Sequence, residues 1–182
     1  MKKKLTTILA FVLVAVLSVA GTLAYLTATS KVTNTFTVGE VDLTVDETAV
    51  DENGEPIPDA DPVDGNEYKL IPGKTYTKDP TLHIGEDSEP CWIFAKIENG
   101  LGDAATLKMV DGWSLLEGST DVYVYADIVA PGTDVKVFTE FTFDGEADPA
   151  EFEDAQIVVT GYAVQAEGFD TAEDAWSATF GK

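Results

Sequence analysis

Short strand-favouring runs cut by turn signals constrain this chain more than any other feature. From Tyr25 to Val45 the β-branched and aromatic residues Tyr25, Val32, Thr33, Thr35, Phe36, Thr37, Val38, Val41, Leu43, Thr44 and Val45 dominate, and such side chains fit a pleated, half-buried surface. Apolar residues occupy even numbers at Val32, Phe36 and Val38, then odd numbers at Val41, Leu43 and Val45. A parity switch turns the buried face over unless a residue is inserted, so a bulge or bend is expected at Gly39–Glu40.

Further runs obey the same logic. "CWIFAKIEN" (91–99) is apolar on both parities, the pattern of a central strand covered on both faces. "KLIPGKTYTKDP" holds Pro72-Gly73, a pair suited to a type II turn because Pro presets the first central residue and Gly supplies positive φ at the second. "DVYVYADIV" (121–129) and "DVKVFTEFTF" flank a second Pro-Gly at Pro131-Gly132 and read as a hairpin, the latter run alternating Val135, Val137, Phe141 and Phe143. "AQIVVTGYAVQA" (155–166) reads as one long strand. Three stretches carry helix signals: "GDAATLKMVDGW" with Asp103 as cap and Leu107 and Val110 inward, one turn started by Asp148-Pro149, and "DTAEDAWSATFG" with Asp170 or Thr171 as N-cap and Trp176 and Phe180 on one face. The expected fold is all-β: an antiparallel jelly-roll-like sandwich with one or two short helices.

The N-terminus has a different character. Lys2, Lys3 and Lys4 precede an apolar run from Leu5 to Ala20 and a small-residue stretch from Gly21 to Ala24, the layout of a secretory signal. A spanning helix needs about 20 predominantly apolar residues, and this run is shorter. Small residues permit a cut after Ala20 or after Ala24, and the first, with Ser18 and Ala20 in small-x-small spacing, fits the general rule better. The rest of the chain, beyond this leader, suits one domain with its own core.

Charge narrows the partners. The chain has 33 acidic residues against 11 basic ones, net −22, and every basic residue is lysine. Lacking the guanidinium that reads phosphates and base edges, and carrying a charge that repels them, it is expected to bind no nucleic acid. The acids concentrate in "DETAVDENGEPIPDADPVDGNE" (46–67), which is nearly devoid of large apolar groups and reads as a surface loop or disordered insertion. Asp59, Asp61 and Asp64-Gly65 invite a calcium reading, but the alternating ligands and closing Glu of a calcium loop are absent, so no metal is assigned and calcium stays the one cofactor these loops suggest.

Catalytic parts are few. His83 is the only histidine, which rules out an H-E-x-x-H pair and leaves His83 an ordinary loop or strand residue. Nucleophile elbows, phosphate loops and nucleotide fingerprints are missing. Cys91 is the only cysteine and sits at the head of an apolar strand, where a small buried hydrophobe is expected.

"AGTLAYLTATSKVTNTFTVGEVDLTV" resembles the N-terminus of the TasA and camelysin family of Gram-positive bacteria, through Gly21, Thr22, Ala24, Tyr25, Thr27, Asn34, Phe36, Thr37, Gly39, Val41, Asp42 and Leu43. "IPGKTYTKDPTL", "EPCWIFAKIE", "APGTDVKVF" and "AVQAEGFDTAEDAW" agree with its looser pattern. The resemblance implies cleavage between Ala24 and Tyr25 by a SipW-type signal peptidase. It implies a signal peptide over 1–24, a single β-sandwich domain over 25–182, and secretion to the matrix or cell surface. In matrix-forming members it implies head-to-tail homopolymers, in which residues 25–38 (Tyr25, Leu26, Val32, Asn34, Phe36, Val38) form a donor strand completing the sheet of the next subunit. Other matrix or cell-surface proteins are further partners of that kind. Leu26 replaces the usual Phe, and Thr27-Ala28 lacks the Asp that often comes next. Two other roles stand beside fibre formation: a monomeric adhesin or accessory factor, and a camelysin-type metalloendopeptidase using His83 and carboxylates.

Overall fold

The computed structural model describes residues 41–181. The expected cleavage site at Ala24–Tyr25, the donor strand (Tyr25, Leu26, Val32, Asn34, Phe36, Val38) and the bend at Gly39–Glu40 lie outside the described residues.

Ten strands are described: β1 (Leu43–Asp46), β2 (Thr75–Thr77), β3 (Thr81–Ile84), β4 (Cys91–Asn99), β5 (Ala105–Met109), β6 (Trp113–Leu115), β7 (Val122–Tyr125), β8 (Asp134–Lys136), β9 (Phe138–Phe143) and β10 (Ile157–Gln165), with one α-helix after them, α1 (Ala172–Phe180). All pairings are antiparallel, in the orders β1-β3-β8, β2-β9-β5 and β10-β4-β7-β6. The first two sheets are continuous in register: Thr75 lies opposite Thr142 and His83 opposite Asp134, with the ladder kinked where Lys78–Pro80 face Val137–Thr139. The result is an all-β sandwich of one bent layer against the β10-β4-β7-β6 layer.

Alternation explains the packing. Cys91, Ile93, Ala95 and Ile97 point from β4 into the main core, against Leu82, Ile84, Val135, Val137 and Phe138 of the bent layer. Trp92 and Phe94 point the other way, against Ala172, Ala175 and Trp176 of α1. Fully burying side chains such as Ile93 and Phe94 stabilises by roughly 1.5–3 kcal/mol each. The odd-numbered face of β1 packs on the core as its pattern predicts: Val41, Leu43 and Val45 all touch it. Both Pro-Gly turns form, with positive φ at Gly73 (76°) and Gly132 (69°).

Three expectations need correction. The 121–129 and 134–143 runs do not make a hairpin: β7 lies between β4 and β6, whereas β8 joins β3 and β9 joins β2 and β5. The residues expected to be helical after Gly102 form only a 3-10 turn, Gly102–Ala104, and then strand β5, because pairing with β9 outweighs the helix preference of Ala-Thr-Leu-Lys-Met. Asp103 is inside that turn rather than its cap. The other helix signals hold: Asp148 caps Pro149–Phe152 by accepting from the Ala150 N–H, and the Thr171 hydroxyl accepts from the Asp174 N–H to start α1.

Candidate functional site

β10 and β4 are each nine residues long and pair along their whole length. Their outer flanks differ. β4 is paired on its other side with β7, while among the described residues β10 is the edge of its layer. At the ends of the shared ladder Gly100 N–H donates to the Gln156 carbonyl and Ala166 N–H donates to the Pro90 carbonyl, both at 2.8 Å. Antiparallel strands bond through alternate residues, so even-numbered positions of β10 face β4. The N–H and C=O groups of Ile157, Val159, Gly161, Ala163 and Gln165 therefore point away from the sheet, and among the described residues none of them has a hydrogen-bond partner.

The side chains of Ile157, Val159 and Ala163 lean on the main core. At Gly161 the bent layer comes so close that an added Cβ would sit 2.9 Å from Val45 and 3.1 Å from Leu43. Toward Ile157 the layers part, leaving a groove of about 1110 Å³. Leu101, Phe141 and Phe152 give it an apolar floor, and the exposed acids Asp64, Glu67, Glu153 and Asp154 line its margin. An open strand edge beside such a groove offers a second strand both backbone partners and a place for every other side chain.

The acidic segment 46–67 forms one side of this groove. Its first residue, Asp46, ends β1, and the rest is a loop as expected, but an anchored one rather than a disordered insertion. Glu47 exchanges backbone hydrogen bonds with Val63, and Ala49 and Val50 are buried. Beneath it Glu47 Oε2 accepts from Lys78 Nζ at 2.6 Å, and Glu47 Oε1 accepts from Asn66 Nδ2 at 2.9 Å. Glu47 and Lys78 are only 4% and 9% exposed. Asp79 accepts from the Thr48 N–H and hydroxyl and from Lys136 Nζ. Burial would raise the Asp79 carboxyl, but these hydrogen bonds prevail and hold it below its usual value. This network pairs residues far apart in sequence, so the linear pattern gave no sign of it.

Asp59, Asp61 and Asp64 are exposed. Among the described residues no three His, Cys, Asp or Glu side chains are grouped to hold a metal ion. His83, on β3, is bracketed by two carboxylates: Nδ1 is 2.7 Å from Asp134 and Nε2 is 2.9 Å from Asp46. Both nitrogens must carry protons to donate to both carboxylates, and the Asp46 hydrogen bond, against some desolvation and with help from Asp134, raises the imidazole above its usual value. The clamp joins β1, β3 and β8. Cys91 is fully buried, which pushes its thiol up to about 11 and makes it a core residue as expected.

Together these features define the class: an antiparallel β-sandwich with one long edge left open among the described residues and an acid-margined groove at one end of it. Residues 1–62 of the chain match a family model described as camelysin metallo-endopeptidase. The match runs through β1 into the acidic loop. No curated protein and no solved structure matches the chain.

Proposed function

We propose that the protein is a secreted, non-enzymatic structural subunit of an extracellular matrix or cell surface. It is cut between Ala24 and Tyr25 by a SipW-type peptidase and assembles head to tail, residues 25–38 of one copy adding to the β10 edge of the next. The observation that carries this reading is the row of outward N–H and C=O groups on Ile157, Val159, Gly161, Ala163 and Gln165, of which Ile157 and Val159 border the groove. Residues 25–38 suit that edge. Val32, Phe36 and Val38 share a parity and would face the groove floor, and Lys31 is the only charged side chain of the segment, opposite in sign to the acids along the margin. A contact of this type does not close on itself, so it propagates as a filament.

Negative-stain electron microscopy of protein starting at Tyr25, beside protein starting at Val38, each with and without calcium, tests the reading. Fibres from the first and none from the second are expected. Monomers in both would move the assignment to an adhesin or accessory factor, with the acidic loops then tested for calcium by thermal stabilisation.

A second reading rests on the description of the matched family, a metallo-endopeptidase. In this chain it would draw on His83 with Asp46 and Asp134, which flank the ring on two sides rather than converge on one point. Zinc-dependent casein cleavage that disappears in His83→Ala would establish it.

A further inference from the structure

Buried Glu47 and Lys78 and half-buried Asn66 hold a carboxyl, an amine and a carboxamide in one hydrogen-bonded set, and nothing in fibre assembly uses it. We propose that Lys78 and Asn66 become joined by an intramolecular isopeptide bond, with Glu47 directing the reaction.

Each component of an amide exchange is present. The nucleophile is Lys78 Nζ, 2.6 Å from Glu47 Oε2. The electrophile is the Asn66 side-chain carbonyl carbon, whose oxygen accepts from the Val50 N–H at 2.9 Å. The leaving nitrogen, Asn66 Nδ2, donates to Glu47 Oε1 and to the Thr48 carbonyl, each at 2.9 Å. One carboxyl therefore spans the attacking and the departing nitrogen.

The surroundings favour the chemistry. An ion pair taken out of water loses much of its hydration, so passing a proton from Lys78 Nζ to Glu47 costs less here than at the surface and yields a neutral, nucleophilic amine. Attack forms the Nζ–Cγ bond, and the Val50 N–H stabilises the negative oxygen of the tetrahedral intermediate. Glu47 then delivers its proton to Nδ2, the Cγ–Nδ2 bond breaks and ammonia departs. One of the two protons left on Nζ passes to Glu47, which can release it to solvent, and the other stays as the amide N–H, so the chain loses one NH3 and gains one amide with no oxidant or cofactor. Tyr68 and Phe141 supply aromatic walls, with ring centroids 5.2 Å apart, and the site opens on the groove, giving ammonia an exit. The product replaces a buried ammonium with a neutral amide and fastens the end of the acidic loop to the bend between β2 and β3.

Intact-mass spectrometry of the full protein, purified folded and then denatured, provides the test, with peptide mapping after it. The expected result is a mass below that of the sequence by one ammonia, with a branched peptide joining residues 66 and 78. Asn66→Asp should form the same link with loss of one water, while Lys78→Arg and Glu47→Gln should keep their full mass. Asn53-Gly54 and Asn99-Gly100 can also lose ammonia by forming succinimides, so a loss that persists in Lys78→Arg would overturn the proposal. So would a full sequence mass for the folded wild-type protein, a reading that depends on no variant.

Discussion

β4 and β10 share one ladder and one length, yet they occupy opposite situations. β4 has a neighbour on each edge and apolar packing on each face, with Ile93, Phe94 and Ala95 inaccessible to solvent. Among the described residues β10 has one neighbour, and its outward-facing Val158 is 42% exposed. The difference shows where this molecule places stability and where it keeps bonding capacity in reserve. A strand satisfied on all sides can only hold the fold together, whereas a strand with one flank unsatisfied can also recruit another chain.

The largest expected effect lies in β4. Phe94→Ala should cost about 3–5 kcal/mol, since it removes a fully buried ring packed on Trp176 and leaves a cavity. The urea midpoint reads that loss, and Val158→Ala should leave the midpoint almost unchanged.

Proline separates the two flanks of β10 itself. Val158→Pro removes an N–H that faces β4 and should cost on the order of 3 kcal/mol. Val159→Pro removes one that faces outward, so it should cost less stability while blocking addition of a strand. Urea titration and fibre yield, measured on both variants, would break the comparison if the two prolines behaved alike.

Gly161→Ala should cost about 1–3 kcal/mol, because its Cβ would press on Val45, Leu43 and Leu82 where the two layers meet. The pH dependence is smaller. The imidazole of His83 is raised above its ordinary 6.5 in the folded protein, so protonation favours the folded state. That contribution is full below the unfolded value and is lost as pH rises through the higher folded value. The stability difference between wild type and His83→Gln should therefore be largest in mild acid and shrink in mild alkali, as read from paired urea titrations.

Local patterns carried much of this architecture. The odd-numbered face of β1, the two-sided burial of 91–99, the Pro-Gly turns and the Thr171 cap all derive from rules reaching over a few residues. Partner choice lies beyond those rules. Pro131-Gly132 signals a reversal but cannot say that β8 will meet β3 rather than β7, and the run from Asp134 to Phe143 gives no sign that it spans two sheets. The helix signal at 103–110 failed for the same reason, since β9 is more than twenty residues away along the chain. Nor was His83 legible as a clamp: its partners, Asp46 and Asp134, come from two other strands and meet it only through register.

Hydrogen exchange on β10 distinguishes a paired outward flank from a free one. In assembled protein the amides of Ile157, Val159, Gly161, Ala163 and Gln165 should exchange far more slowly than in protein starting at Val38, while the even-numbered amides facing β4 change little. Assemblies in which the odd-numbered amides exchange as freely as in the shortened protein would contradict the account, because the outward flank of β10 would then have no partner.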